Sequence, residues 1–81
     1  MNKIYFFGKL IGISNVKFDY SRKLEASLIL FIFDEENNQK FNIYAGEKYC
    51  DFIISNLNLF DLLYFECHIN SIDKRFELEK L

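Results

Sequence analysis

A period of two in the apolar residues runs through most of this chain and limits its fold more than any other feature. In residues 3–12, Ile4, Phe6 and Leu10 fall on one face and Lys3, Tyr5, Phe7 and Lys9 on the other. That alternation is the pattern of a half-buried β-strand. Gly8 inside the run predicts a bulge or a bend, as where a strand curls around a barrel. Residues 15–20 read as a short second extended piece, with Asp19-Tyr20-Ser21-Arg22 as a polar turn. Residues 24–34 are the longest strand, with Leu24, Ala26, Leu28, Leu30 and Ile32 inward and Glu25, Ser27, Ile29, Phe31 and Phe33 outward. The acidic stretch Asp34-Glu35-Glu36-Asn37-Asn38 is a turn. Alternation resumes over 39–45, with Phe41 and Ile43 inward and Asn42 and Tyr44 outward.

The period changes once. After Gly46, Tyr49, Ile53 and Leu57 recur at helical spacing with Cys50 and Ile54 beside them, so residues 47–57 read as one amphipathic helix. Residues 61–71 return to a strand with Leu63, Phe65, Cys67 and Ile69 inward. Asp73-Lys74 turns the chain into a last strand, 75–80, with Phe76 and Leu78 inward. The expected fold is mainly β: an OB-fold, a five-stranded antiparallel Greek-key barrel with one α-helix between the third and fourth main strands. An open α+β sandwich is the alternative arrangement of the same elements. With 81 residues, no proline and no repeat or linker, residues 1–81 form a single domain. Ten Phe and five Tyr supply rings to fill a small core.

The same sequence narrows the chemistry. No apolar run approaches the roughly 18 to 20 residues of a membrane span, and Lys9 interrupts the only apolar stretch at the start. No signal peptide is expected, and the chain reads as soluble and cytoplasmic. Cys50 and Cys67 lack zinc spacing and sit among apolar neighbours, where a free Cys behaves as a small hydrophobe. Adjacent strand residues face opposite sides, so Cys67 and His68 do not form a nucleophile and base. No catalytic residue, metal site or cofactor is expected.

The charge is uneven. Residues 1–23 hold five basic residues against Asp19 alone, whereas the rest of the chain holds five against eleven acids. Lys3, Lys9, Lys17 and Arg22 can line the path of a nucleic-acid backbone and release counterions; the bland reading is an ordinary solvated surface. Lys74 and Arg75 at the last hairpin are candidates of the same kind, and Tyr20, beside Arg22 in the polar turn, is a further candidate contact. Outward Tyr44, Phe31 and Phe33 either stack bases or pack under a loop or at a subunit contact. Tyr5 and Phe7 either touch nucleic acid or cover an edge strand against a second subunit.

Taken in order, several pieces resemble one family. Asn2-Lys3-Ile4 with Phe6, Gly8 and Leu10, then Val16-Lys17-Phe18, Ala26-Ser27-Leu28, Ile43-Tyr44 and Tyr64-Phe65-Glu66 are similar to the bacterial and phage single-stranded DNA-binding (SSB) proteins. The resemblance implies phosphate contacts at Lys3 and Lys17, base stacking at Tyr44, and a homodimer or homotetramer formed through the first strand at Tyr5 and Phe7. It also implies sequence-nonspecific binding of single-stranded DNA in replication, recombination or repair. Two departures stand out. The family's stacking tryptophans are absent, with Glu36, Asn38 and Lys74 near those places, and so is the acidic-tipped tail, leaving a bare binding core. The competing function is an SSB-like interaction module that contacts a helicase, primase or other replication protein. The net charge of -2 and the missing tryptophans favour that alternative.

Overall fold

A computed structural model describes residues 3–22 and 25–81, without the side chain of Arg22. Asn2, Lys23 and the expected inward residue Leu24 lie outside the described residues, as does the side chain of the candidate contact Arg22. Strand β1 is Lys3–Ile13 and β2 is Lys17–Asp19, followed by one turn of 3-10 helix, Tyr20–Arg22. Then come β3 (Glu25–Asp34), β4 (Gln39–Ala45), helix α1 (Glu47–Asn56), β5 (Leu62–Asn70) and β6 (Arg75–Lys80). The alternating segments and the helix lie where the periodicity predicts them, within two residues for every element but β2, which takes three residues of the extended piece expected over 15–20.

Pairing runs β1–β5–β6–β4–β3 and returns from β3 to β1, closing a five-stranded barrel; β2 adds a short strand along β3. The result is mainly β with one α-helix between β4 and β5, consistent with an OB-like barrel. The all-antiparallel expectation is corrected. β4 and β6 are parallel, pairing Ile43 with Phe76 and Tyr44 with Glu77. The reason is parity: five strands in a closed ring cannot alternate direction all the way round, so one neighbouring pair must run the same way. The connection through α1 and β5 is long enough to allow it.

The core takes the inward residues of every long strand. Leu10, Leu28, Leu30, Ile32, Ile43, Phe65 and Cys67 are buried, joined by Ile53 of α1. Each such aliphatic contributes about 1.5–3 kcal/mol relative to an exposed position. Rings from three strands meet beside them: Phe6 lies 4.6 Å from Phe41 and 4.8 Å from Phe76, centroid to centroid. Helix α1 packs on β3 and β4 through Cys50 and Ile53. The hydroxyl of Tyr49 donates to the Glu79 carbonyl, tying the helix to β6. Two expected inward residues are corrected. Ile54 is 58 % exposed, because one turn of helix rests on the barrel and Ile54 lies outside that stripe. Ile69 is 41 % exposed, because it sits near the end of β5, where the hairpin leaves the barrel.

Closure depends on β1, which pairs with β5 through Lys3–Lys9 and with β3 from Lys9 onward. Gly8 stands at this handover. A Cβ there would lie 2.5 Å from Ile32 Cγ2 and 2.8 Å from the Phe33 carbonyl oxygen. The bend expected at Gly8 is therefore a close approach of two strands. The bulge falls further on, between Leu10 and Gly12. It leaves Gly12 on the outer surface opposite Phe31 and returns Ile13 to the core opposite Leu30. Among the described residues, no helix is long and apolar enough to cross a membrane.

Candidate nucleic-acid interface

Directly opposed residues in neighbouring strands point to the same side of a sheet, so the register maps the outer face of β3 row by row. Glu25 is opposite Asp19, and Ser27 opposite Lys17. Next, Ile29 is opposite Tyr44, then Phe31 opposite Asn42, and Phe33 opposite Lys40. On the other edge of β3, Gly12 flanks Phe31 and Lys9 flanks Phe33. One continuous surface therefore carries Phe31, Phe33 and Tyr44 with Lys9, Lys17, Lys40 and Asn42. All three rings are half-buried. Phe31 rests on Gly12, whose missing side chain makes room for the ring: a Cβ there would lie 3.2 Å from Phe31 Cδ2.

The β5–β6 hairpin adds its cations to this surface. Lys74, at the turn with φ 57°, and Arg75 line a groove with Lys40, Asn42, Tyr44, Asp73 and Phe76. The Arg75 guanidinium carbon lies 4.4 Å above the Tyr44 ring centroid. Arg75 Nε donates to Glu77 Oε2 at 3.0 Å, and Asn70 Nδ2 donates to the same oxygen at 3.1 Å. Burial pushes the Glu77 carboxyl up, but the hydrogen bonds from Arg75 and Asn70 and the charges of Arg75 and His68 outweigh it and hold the pKa below 4.5. The ion pair thus persists from neutral pH down to that lowered value and is lost only as pH falls through it.

Tyr44 and Arg75 also form one wall of a second groove, on the α1 side. That groove is acidic, lined by Asp19, Glu25, Glu47 and Glu77 against Lys48 and Arg75, with His68. The Tyr44–Arg75 ridge separates a basic groove from an acidic one.

Lys3 and Tyr20 lie away from this groove, and Lys9 stands at the Phe33 end of the face. Lys3 is on β1 opposite His68, on the far side of β5 and β6 from Tyr44. It pairs with Glu66 at 3.7 Å. Lys9 is held by Glu35 at 2.5 Å. Tyr20 is exposed but follows Asp19, beyond the acidic end of the face. Among the described residues, the cations of the basic first third therefore do not form one patch, because β1 winds around the barrel and acids distant in sequence meet Lys3 and Lys9. Tyr5 and Phe7 project from β1 beside Glu66 and Tyr64 of β5. Tyr5 is 68 % and Tyr64 73 % exposed, and the Phe7 and Tyr64 rings lie 4.5 Å apart. With Leu62 they make an apolar face distinct from the Tyr44 groove. Phe33 reaches toward it, lining a cleft with Phe7 and Leu62.

Lys40 and Asn42 were not among the expected contacts, although both share the parity of Tyr44 and so its side of β4. Cys67 is buried and its neighbour His68 faces outward, so the two do not meet. Burial pushes the Cys67 thiol up to about 12. Neither a protein-family model nor a curated protein matches this chain.

Proposed function

We propose that this chain is an OB-fold domain that binds single-stranded DNA without sequence preference, using the outer face of β3 and β4 and the β5–β6 hairpin. The ring of strands, with α1 between the third and fourth main ones and a parallel pair where β6 meets β4, supports the fold. OB-folds bind oligonucleotides on the face of the second and third main strands and the loops beside it. The observation that carries the reading is the clustering of Tyr44, Phe31, Lys40, Asn42, Lys74 and Arg75 on that face. Stacking supplies sequence-tolerant affinity, and the cations follow the phosphates.

Titration of tyrosine fluorescence with oligo-dT at two salt concentrations tests it. Quenching that weakens as salt rises is expected; no quenching and no salt dependence would end the DNA reading. Tyr44→Ala should cost about 1–3 kcal/mol of binding, the contribution of one base–aromatic layer.

A second reading rests on a different observation, the exposed Tyr5, Phe7, Leu62 and Tyr64 face of β1 and β5. An apolar patch of this kind marks a protein contact. A second copy of the chain is the occupant we favour, and a replication protein is the alternative. Sedimentation of wild type and Tyr5→Lys tests the first: a dimer that becomes a monomer supports it, and a monomeric wild type overturns it.

A further inference from the structure

We infer that the surface on which a base stacks is the guanidinium of Arg75, fixed in place by Glu77, with the Tyr44 ring as the layer beneath it. This rests on the DNA-binding reading above and concerns how that site holds a base.

The guanidinium carbon stands 4.4 Å over the ring centroid, so one face of Tyr44 is already covered by a cation. A base seeking that face must displace Arg75 and break its 3.0 Å bond to Glu77. It can instead settle on the outer face of the guanidinium, since planar arginine stacks on bases as aromatic rings do. The second course leaves every existing contact intact. Arg75 is also locked. Glu77 Oε2 accepts from Asn70 at 3.1 Å while Oε1 faces His68 Nε2 at 3.2 Å, so β5 braces the carboxylate that braces the arginine. A plane held before the ligand arrives avoids the ordering cost of fixing a long side chain on binding. Of the five guanidinium N–H donors, one is spent on Glu77, and Nη2 stands 3.8 Å from Asp73 Oδ2, which leaves the Nη1 hydrogens for a phosphate beside the base.

The arrangement accounts for an acid inside a polyanion site. Glu77 lies next to Tyr44 in the parallel pair, where a bare carboxylate would repel phosphate. Its oxygens are instead engaged by Arg75, Asn70 and His68. Glu77 is a positioning residue and does not touch the ligand. Residues 75 and 77 are two apart on one strand, so both point to the same side of β6.

Oligo-dT and an abasic phosphodiester oligomer of equal length and charge separate stacking from backbone attraction. Wild type should bind dT about tenfold more tightly than the abasic strand, within the range of one base–aromatic layer. Arg75→Lys keeps the charge and removes the plane: dT affinity should fall to the abasic level while abasic affinity stays within about twofold. Glu77→Gln removes a negative charge, so simple electrostatics predicts tighter binding of both ligands. Positioning predicts that the preference for dT shrinks instead, and that result supports the inference. If Arg75→Lys keeps the full preference and Tyr44→Ala abolishes it, the bare ring is the platform and the inference is overturned while DNA binding stands. Equal wild-type affinity for both strands overturns stacking altogether, and no binding of either overturns the function with it. Unchanged near-ultraviolet circular dichroism of each variant separates these outcomes from misfolding.

Discussion

Gly8 is the residue at which a single atom decides whether the barrel closes. An added Cβ would sit 2.5 Å from a methyl of Ile32 and 2.8 Å from a backbone oxygen of Phe33. The methyl can move; the backbone oxygen belongs to the β1–β3 seam and cannot move without opening it. Gly8→Ala should therefore lower stability by about 1–3 kcal/mol, the usual cost of overpacking, read as a lower urea midpoint with an unchanged slope. That glycine was visible in the sequence as a break in alternation, but what it admits was not, because Ile32 and Phe33 lie 24 and 25 residues away. Lys3 and Lys9 show the same limit. Their charge is local information, whereas their neutralisation by Glu66 and Glu35 depends on which strands meet. Arg75 over Tyr44 is a third case, since the parallel pairing that joins β6 to β4 has no signature in either strand.

Elements were more legible than residues because each carries its own period. Alternation marks β1, β3, β4, β5 and β6, and the switch to a spacing of four marks α1. Parity requires one parallel pair in a closed ring of five, but which pair it is has no mark in the sequence, because an alternating strand reads alike beside either neighbour direction. The β5–β6 hairpin is the element that ties this pairing to function, since it delivers Lys74 and Arg75 to the groove. Lys74 holds φ 57° in the turn, a left-handed conformation that glycine adopts without strain. Lys74→Gly should therefore leave thermal stability unchanged or slightly raised while removing one cation from the hairpin. Loss of a phosphate contact weakens binding uniformly across sequences and reduces the salt slope by about one in a duplex, somewhat less in a single strand. A variant that melts as wild type does and keeps the full slope for oligo-dT would place the hairpin tip off the backbone path.

For the whole molecule, a net charge of -2 argues against a polyanion ligand only if the charge is spread evenly. It is not. Acids gather in the groove beside α1, where Asp19, Glu25, Glu47 and Glu77 outnumber Lys48 and Arg75. Across the Tyr44–Arg75 ridge, Lys40, Lys74 and Arg75 face Asp73 alone. A single strand drawn by this field should run along β4 and the hairpin and stop at the ridge, where the sign reverses. With about three phosphates engaged, the logarithm of affinity should fall against the logarithm of salt with a slope of about -2, given roughly 0.7 per phosphate in a single strand. Two charge reversals of equal size then test the path. Lys40→Glu lies in the basic groove and should weaken oligo-dT binding strongly and flatten the slope. Lys48→Glu lies across the ridge and should do neither, because a strand that ends at Arg75 never reaches it. Equal losses from both would mean that binding follows total charge, and the division of this surface into two grooves would have no part in it.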